Sequence, residues 1–213
     1  ASYRQAGSFA YDVFGRRLNA AGEALGEEFR LNAQTGMGRR SPALAPLPAG
    51  GFLAAWVAER QVGVRNNTDA SGRAVPGAGA PVFEVNLVTR PFAADAGVAG
   101  PENTVSTPGA IAAHPALCSL PDGRVAAAWT RRTRAFAGTG MDIAVRLVSA
   151  VGTPLSPESR LNGVATGDQF RPRLASTPYG LLGVWSSVGQ DGSWEGVFAR
   201  WMSAEGLPQG EDI

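Results

Sequence analysis

The chain has 213 residues, 18 of them acidic against 19 arginines and no lysine, which leaves a net charge of +1, with one histidine and one cysteine. That balance gives no electrostatic footprint for a nucleic acid. The lone Cys118 excludes an internal disulfide and suits a buried apolar role. His114 and Cys118 together are too few for a zinc site, and no cofactor or metal is expected. No apolar run is long enough to cross a bilayer, so no membrane span is expected, and nothing at the start reads as a signal segment.

In chain order the first readable element is a short extended pair over about 9–32. It is Asp12-Val13-Phe14-Gly15-Arg16, the turn Asn19-Ala20-Ala21-Gly22, then the alternating Glu28-Phe29-Arg30-Leu31-Asn32. From residue 41 a fuller pattern begins. Ser41-Pro42-Ala43-Leu44-Ala45 runs to a Pro-x-Gly turn at Pro48, an apolar run follows to Trp56, a third segment closes at Arg90, and Asn103-Thr104-Val105-Ser106 ends the unit. The same four segments return over about 114–162. They are His114-Pro115-Ala116-Leu117-Cys118, the run to Trp129, Asp142-Ile143-Ala144-Val145-Arg146 and Ser159-Arg160-Leu161-Asn162. A third copy spans about 171–213, with Arg171-Pro172-Arg173-Leu174-Ala175, the run to Trp185, Val197-Phe198-Ala199-Arg200 and a last strand at Glu211-Asp212-Ile213.

These segments are short, alternating or continuously apolar, and bounded by Gly, Pro, Asn and Asp, which are strand and turn signals. No window carries a helical period. The chain therefore reads as one all-β repeat domain. Four strands in each unit match a β-propeller blade, giving about three four-stranded blades plus a half blade. The interval from Trp56 to Trp129 is longer than that from Trp129 to Trp185, so one copy carries an insertion, within 57–89. The turn after Arg90 reads as one residue longer than its counterparts, ending at Gly97. Three and a half blades do not close a ring. A partner is therefore expected, either another protein chain or further repeats that complete the propeller.

The recurring Trp56, Trp129 and Trp185, and the recurring Arg16, Arg90, Arg146 and Arg200, read as structural. The arginines are expected to tether blades or strand edges, with Asp12 and Asp142 standing ahead of two of them. Function belongs where the copies differ. The residues just before each first strand, Arg39, Arg40 and Ser41, then His114, then Arg171 with Asp168 and Gln169 nearby, should ring the channel mouth and could hold an acidic sugar, a carboxylate or an acidic loop. The connection after the second strand is the other variable feature. In the third copy it offers Asp191, Ser193, Trp194 and Glu195, an aromatic ring beside carboxylates, as in many carbohydrate sites. Trp194 with Glu195 is the leading pair; the competing expectation is that Trp194 merely covers the edge of its own blade. Arg131, Arg132 and Arg134 make the second loop basic, and Asn66-Asn67-Thr68 in the first fits a glycosylation acceptor.

The apolar run into tryptophan, Gly189-Gln190-Asp191-Gly192-Ser193, Gly196-Val197-Phe198-Ala199-Arg200 and the following Ser-Ala-x-Gly turn together resemble the propeller-type tandem repeats of large bacterial secreted and cell-surface proteins. The likeness covers nearly the whole chain, but only the third copy carries the Gln-Asp-Gly-Ser loop. It implies an extracellular, cell-surface or periplasmic protein of bacterial type. On that resemblance the expected function is a non-catalytic recognition or adhesion module binding glycan or protein through its loop face. The alternative is a structural subunit completed by a partner chain. A glycosidase or sialidase stands last, because no carboxylate pair recurs toward the channel, and a serine hydrolase is not expected because no Gly-x-Ser-x-Gly elbow occurs.

Overall fold

The computed structural model describes residues 11–65, 69, 71–73, 79–133 and 140–213. Asn66-Asn67-Thr68, Arg134 and residues 9 and 10 of the first pair lie outside the described residues. Every element among the described residues is a strand. The half unit is a two-stranded sheet of β1 (Phe14–Gly15) and β2 (Phe29–Arg30). The first complete unit runs through β3 (Arg39–Pro46), β4 (Phe52–Arg65), β5 (Ala80–Phe92) and β6 (Asn103–Thr104). The second comprises β7 (Ala110–Ser119), β8 (Val125–Thr133), β9 (Asp142–Val148) and β10 (Ser159–Arg160). The third comprises β11 (Gln169–Thr177), β12 (Gly180–Val188), β13 (Glu195–Met202) and β14 (Pro208–Gln209).

Within each unit the strands pair antiparallel in chain order, the all-β, propeller-like arrangement expected from the repeat. One parallel contact, Val85 to Ile111, joins the first two complete units into a continuous sheet. The insertion is an outward extension of the β4–β5 hairpin, in which Glu59–Arg65 pairs with Ala80–Val85. In the third unit Ile213 exchanges both backbone hydrogen bonds with Ala199 (2.8 and 2.9 Å), beyond the short β14.

The core lies between units rather than inside them. Trp56 packs with Val13, Leu31 and Phe92 against the half unit; Trp129 packs with Leu53, Leu87 and Val105; Trp185 packs with Ile143, Val145 and Leu161. Each tryptophan thus faces the preceding unit. The small residues beside it, such as Ala126 and Ala128, face the following one, which lets sheets stack closely. This explains why the second strands read as unbroken apolar runs: both faces are covered. The three indole nitrogens are buried without a hydrogen-bond partner among the described residues, so the rings are held by packing.

Two details differ from expectation. The turn after Arg90 has the same length as the others. Gly22, Gly152 and Gly206 take φ of 83°, 82° and 75° there, and Ala96 occupies the same left-handed position at 70°. Its Ala93–Gly97 backbone bond matches that of Ser149–Thr153, and only the residue type had made it look longer. Second, Asp12 and Asp142 do not serve the arginines of their strands. They accept from the buried amides of Asn32 (2.7 Å) and Asn162 (3.0 Å), whose own oxygens take the backbone amides of Val13 and Ile143, both at 2.8 Å. The arginines reach main-chain carbonyls instead.

Candidate functional site

The innermost strand of each complete unit breaks its ladder at one place. Proline cannot donate to the neighbouring strand. Accordingly β3 shifts register between Arg40 and Ala43, β7 between Ala113 and Ala116, and β11 between Phe170 and Arg173, around Pro42, Pro115 and Pro172. The residue before each proline lies in the left-handed region, Ser41 at φ 54°, His114 at 47° and Arg171 at 55°. For residues other than glycine this conformation costs about 1–3 kcal/mol each and is retained where the surroundings enforce it, commonly at functional sites. These residues were expected just ahead of the first strands. They are instead inside them, because pairing resumes on the near side of the bulge.

The three bulges converge on one cleft of about 180 Å³, lined by Ser41, Pro42, His114, Pro115, Arg171 and Arg173. The buried Thr130 of β8 fastens it. Its Oγ1 accepts the Arg171 amide at 3.1 Å and lies 3.3 Å from His114 Nδ1, so one hydroxyl joins the second and third units. Burial first, and then the positive charges of Arg171, Arg173 and Arg40, push His114 below the ordinary histidine value of 6.5. Arg171 lies over the Phe170 ring at 5.8 Å, and Arg173 donates to the Pro172 carbonyl at 2.9 Å. Neither pairs with a carboxylate among the described residues, whereas Arg40 is bound to Glu59 and Arg131 to Glu158. The cleft therefore presents unneutralised guanidinium groups and a neutral imidazole, a setting that favours an anionic group.

Of the expected site residues, the structure brings His114 and Arg171 together and places the Arg40 charge in reach of them. It does not bring in the leading pair. Trp194 is 92% exposed and so covers no strand edge, and Glu195 lies opposite Val188 at the start of β13. Asp191 accepts from the amide and hydroxyl of Ser193 at 2.9 and 2.7 Å; those bonds hold its carboxyl below the ordinary range and close a tight turn. None of the three lines the cleft. Thr130 and Arg173 are the residues that sequence reasoning missed. Arg173 follows Pro172 in the repeated motif and could have been found by aligning the bulges; Thr130, next to Trp129 in a strand, carries no signal. No group of three His, Cys, Asp or Glu among the described residues is placed to hold a metal ion. Among the described residues no helix is long and apolar enough to cross a membrane.

No protein-family profile and no curated protein matches the sequence. Solved structures do. The chain is similar to an α-L-arabinofuranosidase from Lactobacillus brevis at 11% identity and a TM-score of 0.51, over 88% of this chain and 60% of that one, so it spans less than two thirds of that enzyme. It is also similar to a thermostable family-43 glycoside hydrolase, at 11% identity and a TM-score of 0.49, over 92% of this chain and 70% of that one. An endo-arabinase from Bacteroides thetaiotaomicron matches at 11% identity and a TM-score of 0.39, over 86% of this chain and 84% of that one. What is shared at this identity is the fold. Because the arabinofuranosidase that shares this fold is a glycoside hydrolase, the expectation of a non-catalytic recognition or adhesion module, and of a chain that is not an enzyme, is withdrawn. Its weak step was the demand for a recurring carboxylate pair: a catalytic pair acts once and has no reason to repeat with the blades.

Proposed function

We propose that this chain contributes the sugar-binding mouth of a propeller-type glycoside hydrolase, acting on glycans that carry a carboxylate. The observation that carries the reading is the convergence of three strained x-Pro bulges on one cleft whose Arg171 and Arg173 have no carboxylate partner among the described residues. The fold shared with the arabinofuranosidase supports hydrolysis as the chemistry. In this reading Arg171 and Arg173 hold the substrate's acidic group, and Ser41 and His114 orient its hydroxyls as neutral hydrogen-bond partners.

Cleavage of a glycosidic bond requires two carboxylates, one to protonate the leaving oxygen and one to act as nucleophile or as base toward water. Two carboxylates stand next to residues that flank the cleft, Glu59 and Asp168. Glu59 is held by Arg40 beside Ser41; Asp168 precedes β11 and accepts the Met141 amide at 2.8 Å. We assign Glu59 as the first candidate for the reacting carboxylate. The substrates implied are extracellular polymers, which accords with a secreted or periplasmic location.

The test is turnover of chromogenic aryl glycosides, one a neutral α-L-arabinofuranoside and one a glucuronide, by the wild-type chain and by Glu59→Gln. The reading expects glucuronide release that falls about 100-fold or more in kcat in the variant. A folded chain that releases neither aglycone overturns it.

A further inference from the structure

We propose that Gly38 and Arg40 form a seat that fixes the Glu59 carboxylate by one oxygen and leaves the other free to react, with Arg40 a positioning residue for the hydrolysis proposed above, on which this inference rests. The copies differ at the residues concerned. Gly38-Arg39-Arg40 stand where the second copy has Ile111-Ala112-Ala113 and the third has Asp168-Gln169-Phe170, counted back from Ser41, His114 and Arg171. Glu59, the third residue after Trp56, stands where the other copies have Arg132 and Val188. The four residues peculiar to the first copy meet at Glu59.

The main chain of Glu59 is pinned at both its polar groups. Its amide donates to the Gly38 carbonyl at 2.9 Å, and its carbonyl accepts from Nη1 of the buried Arg39, also at 2.9 Å. The Val188 amide repeats the first bond with the Asp168 carbonyl. Gln169, which stands where Arg39 does, turns instead to the Thr166 carbonyl and Ser187.

The carboxylate is held on one side. Arg40 Nη1 pairs with Oε1, whereas Oε2 takes no hydrogen bond among the described residues and lies over Gly38, where a Cβ would stand 2.8 Å from it and 3.1 Å from Cδ. Gly38 is outside the left-handed region, so the close approach of the carboxylate, and not the backbone, is what requires glycine there. Glu158 shows the contrast. It pairs with Arg131 through Oε1 but gives Oε2 to the Thr107 amide at 2.8 Å, and its side chain is 5% exposed against 30% for Glu59. Glu158 is a closed tether between units, while Glu59 keeps an open oxygen beside the Ser41 bulge. A reacting carboxylate needs that combination of fixed direction and an uncommitted oxygen.

The seat can be refilled from solution. In Glu59→Ala it is empty, and sodium formate, a free carboxylate, should raise the denaturation temperature by about 2 °C or more over sodium chloride at equal ionic strength. No such rise is expected in the wild type, in Glu59→Ala with Gly38→Ala, whose methyl fills the place of Oε2, or in Glu59→Ala with Arg40→Met. With the aryl glucuronide, Arg40→Met should lose about 100-fold in kcat at an unchanged KM, and Arg40→Lys should recover about tenfold of that loss. Arg40→Met with lowered stability and wild-type kcat would make the pair merely structural and overturn the inference. Formate that stabilises all four proteins equally, or none, would overturn it as well. A wild type that hydrolyses nothing, with formate still selective for Glu59→Ala, would remove the proposed function and leave the seat standing.

Discussion

The Arg146 guanidinium reaches back to the carbonyl of Val105 at 2.6 Å and so ties the third strand of one unit to the fourth strand of the unit before it. Its Nε holds the Ser156 carbonyl of its own unit at 2.7 Å. Arg90 repeats the arrangement with Leu31 and Gly100, and Arg200 with Leu161 and Gly210. Charged donors on backbone acceptors contribute about 1.5–3 kcal/mol each where solvent is excluded. Arg146→Leu should therefore lower the denaturation midpoint by the equivalent of about 2 kcal/mol and leave the KM of an acidic substrate unchanged. Arg16, which among the described residues reaches the Gly26 carbonyl of its own half unit and no other unit, should cost less when replaced by leucine. Equal losses in the two variants, measured by urea denaturation, would remove the cross-unit tether from the account.

Thr130 joins the two halves of the cleft through one oxygen. Thr130→Val keeps the shape but leaves the Arg171 amide without its acceptor, a loss of about 1–3 kcal/mol for a buried donor. It should also release Arg171 from its left-handed conformation, raising KM for an acidic substrate, while Thr130→Ser restores both stability and KM. A valine variant with wild-type stability and KM would show that the bond contributes nothing.

The repeat was largely legible in the sequence, and physics says why. Trp56, Trp129 and Trp185 fill the spaces between stacked sheets, and Arg90, Arg146 and Arg200 each stand third from the end of their strands, with Arg16 directly after β1, so a packing problem solved repeatedly leaves a visible period. The site was legible only in part. His114 and Arg171 stood out by position, but the bulge that turns Arg173 toward them follows from a proline's missing amide in three dimensions, and Thr130 shows only as one more strand residue. Trp194 drew attention as an aromatic beside carboxylates, yet an exposed ring with no partner satisfies the same pattern. Likeness to hydrolases is not visible in the residues at 11% identity and emerges only in the course of the backbone.

His114 gives the protein a defined pH response. Its value in the folded chain lies below the ordinary 6.5, through burial and then the arginines, so the unfolded chain binds a proton more readily than the folded one. Stability from this group is complete above the unfolded value and is lost as pH falls through the folded one. His114→Gln should remove that part of the acid sensitivity, so that the stability difference between wild type and variant changes below pH of about 6.5 and is constant above it. The protonated imidazole also adds a charge to the cleft, so KM for an acidic substrate should fall in the same window in the wild type alone. Parallel stability curves for the two proteins from neutral pH to about pH 5 would contradict the assignment.

The most direct test of the account is kcat/KM for an oligosaccharide ending in an acidic sugar, compared between the wild type and a chain carrying both Arg171→Ala and Arg173→Ala. The account predicts measurable hydrolysis by the wild type and a fall of about 100-fold in the variant, carried by KM, since charge-assisted bonds to the substrate are removed while the reacting carboxylates remain. Hydrolysis with the same kcat/KM in both proteins would place the substrate elsewhere on the fold, and the absence of hydrolysis by the wild type would contradict the function itself.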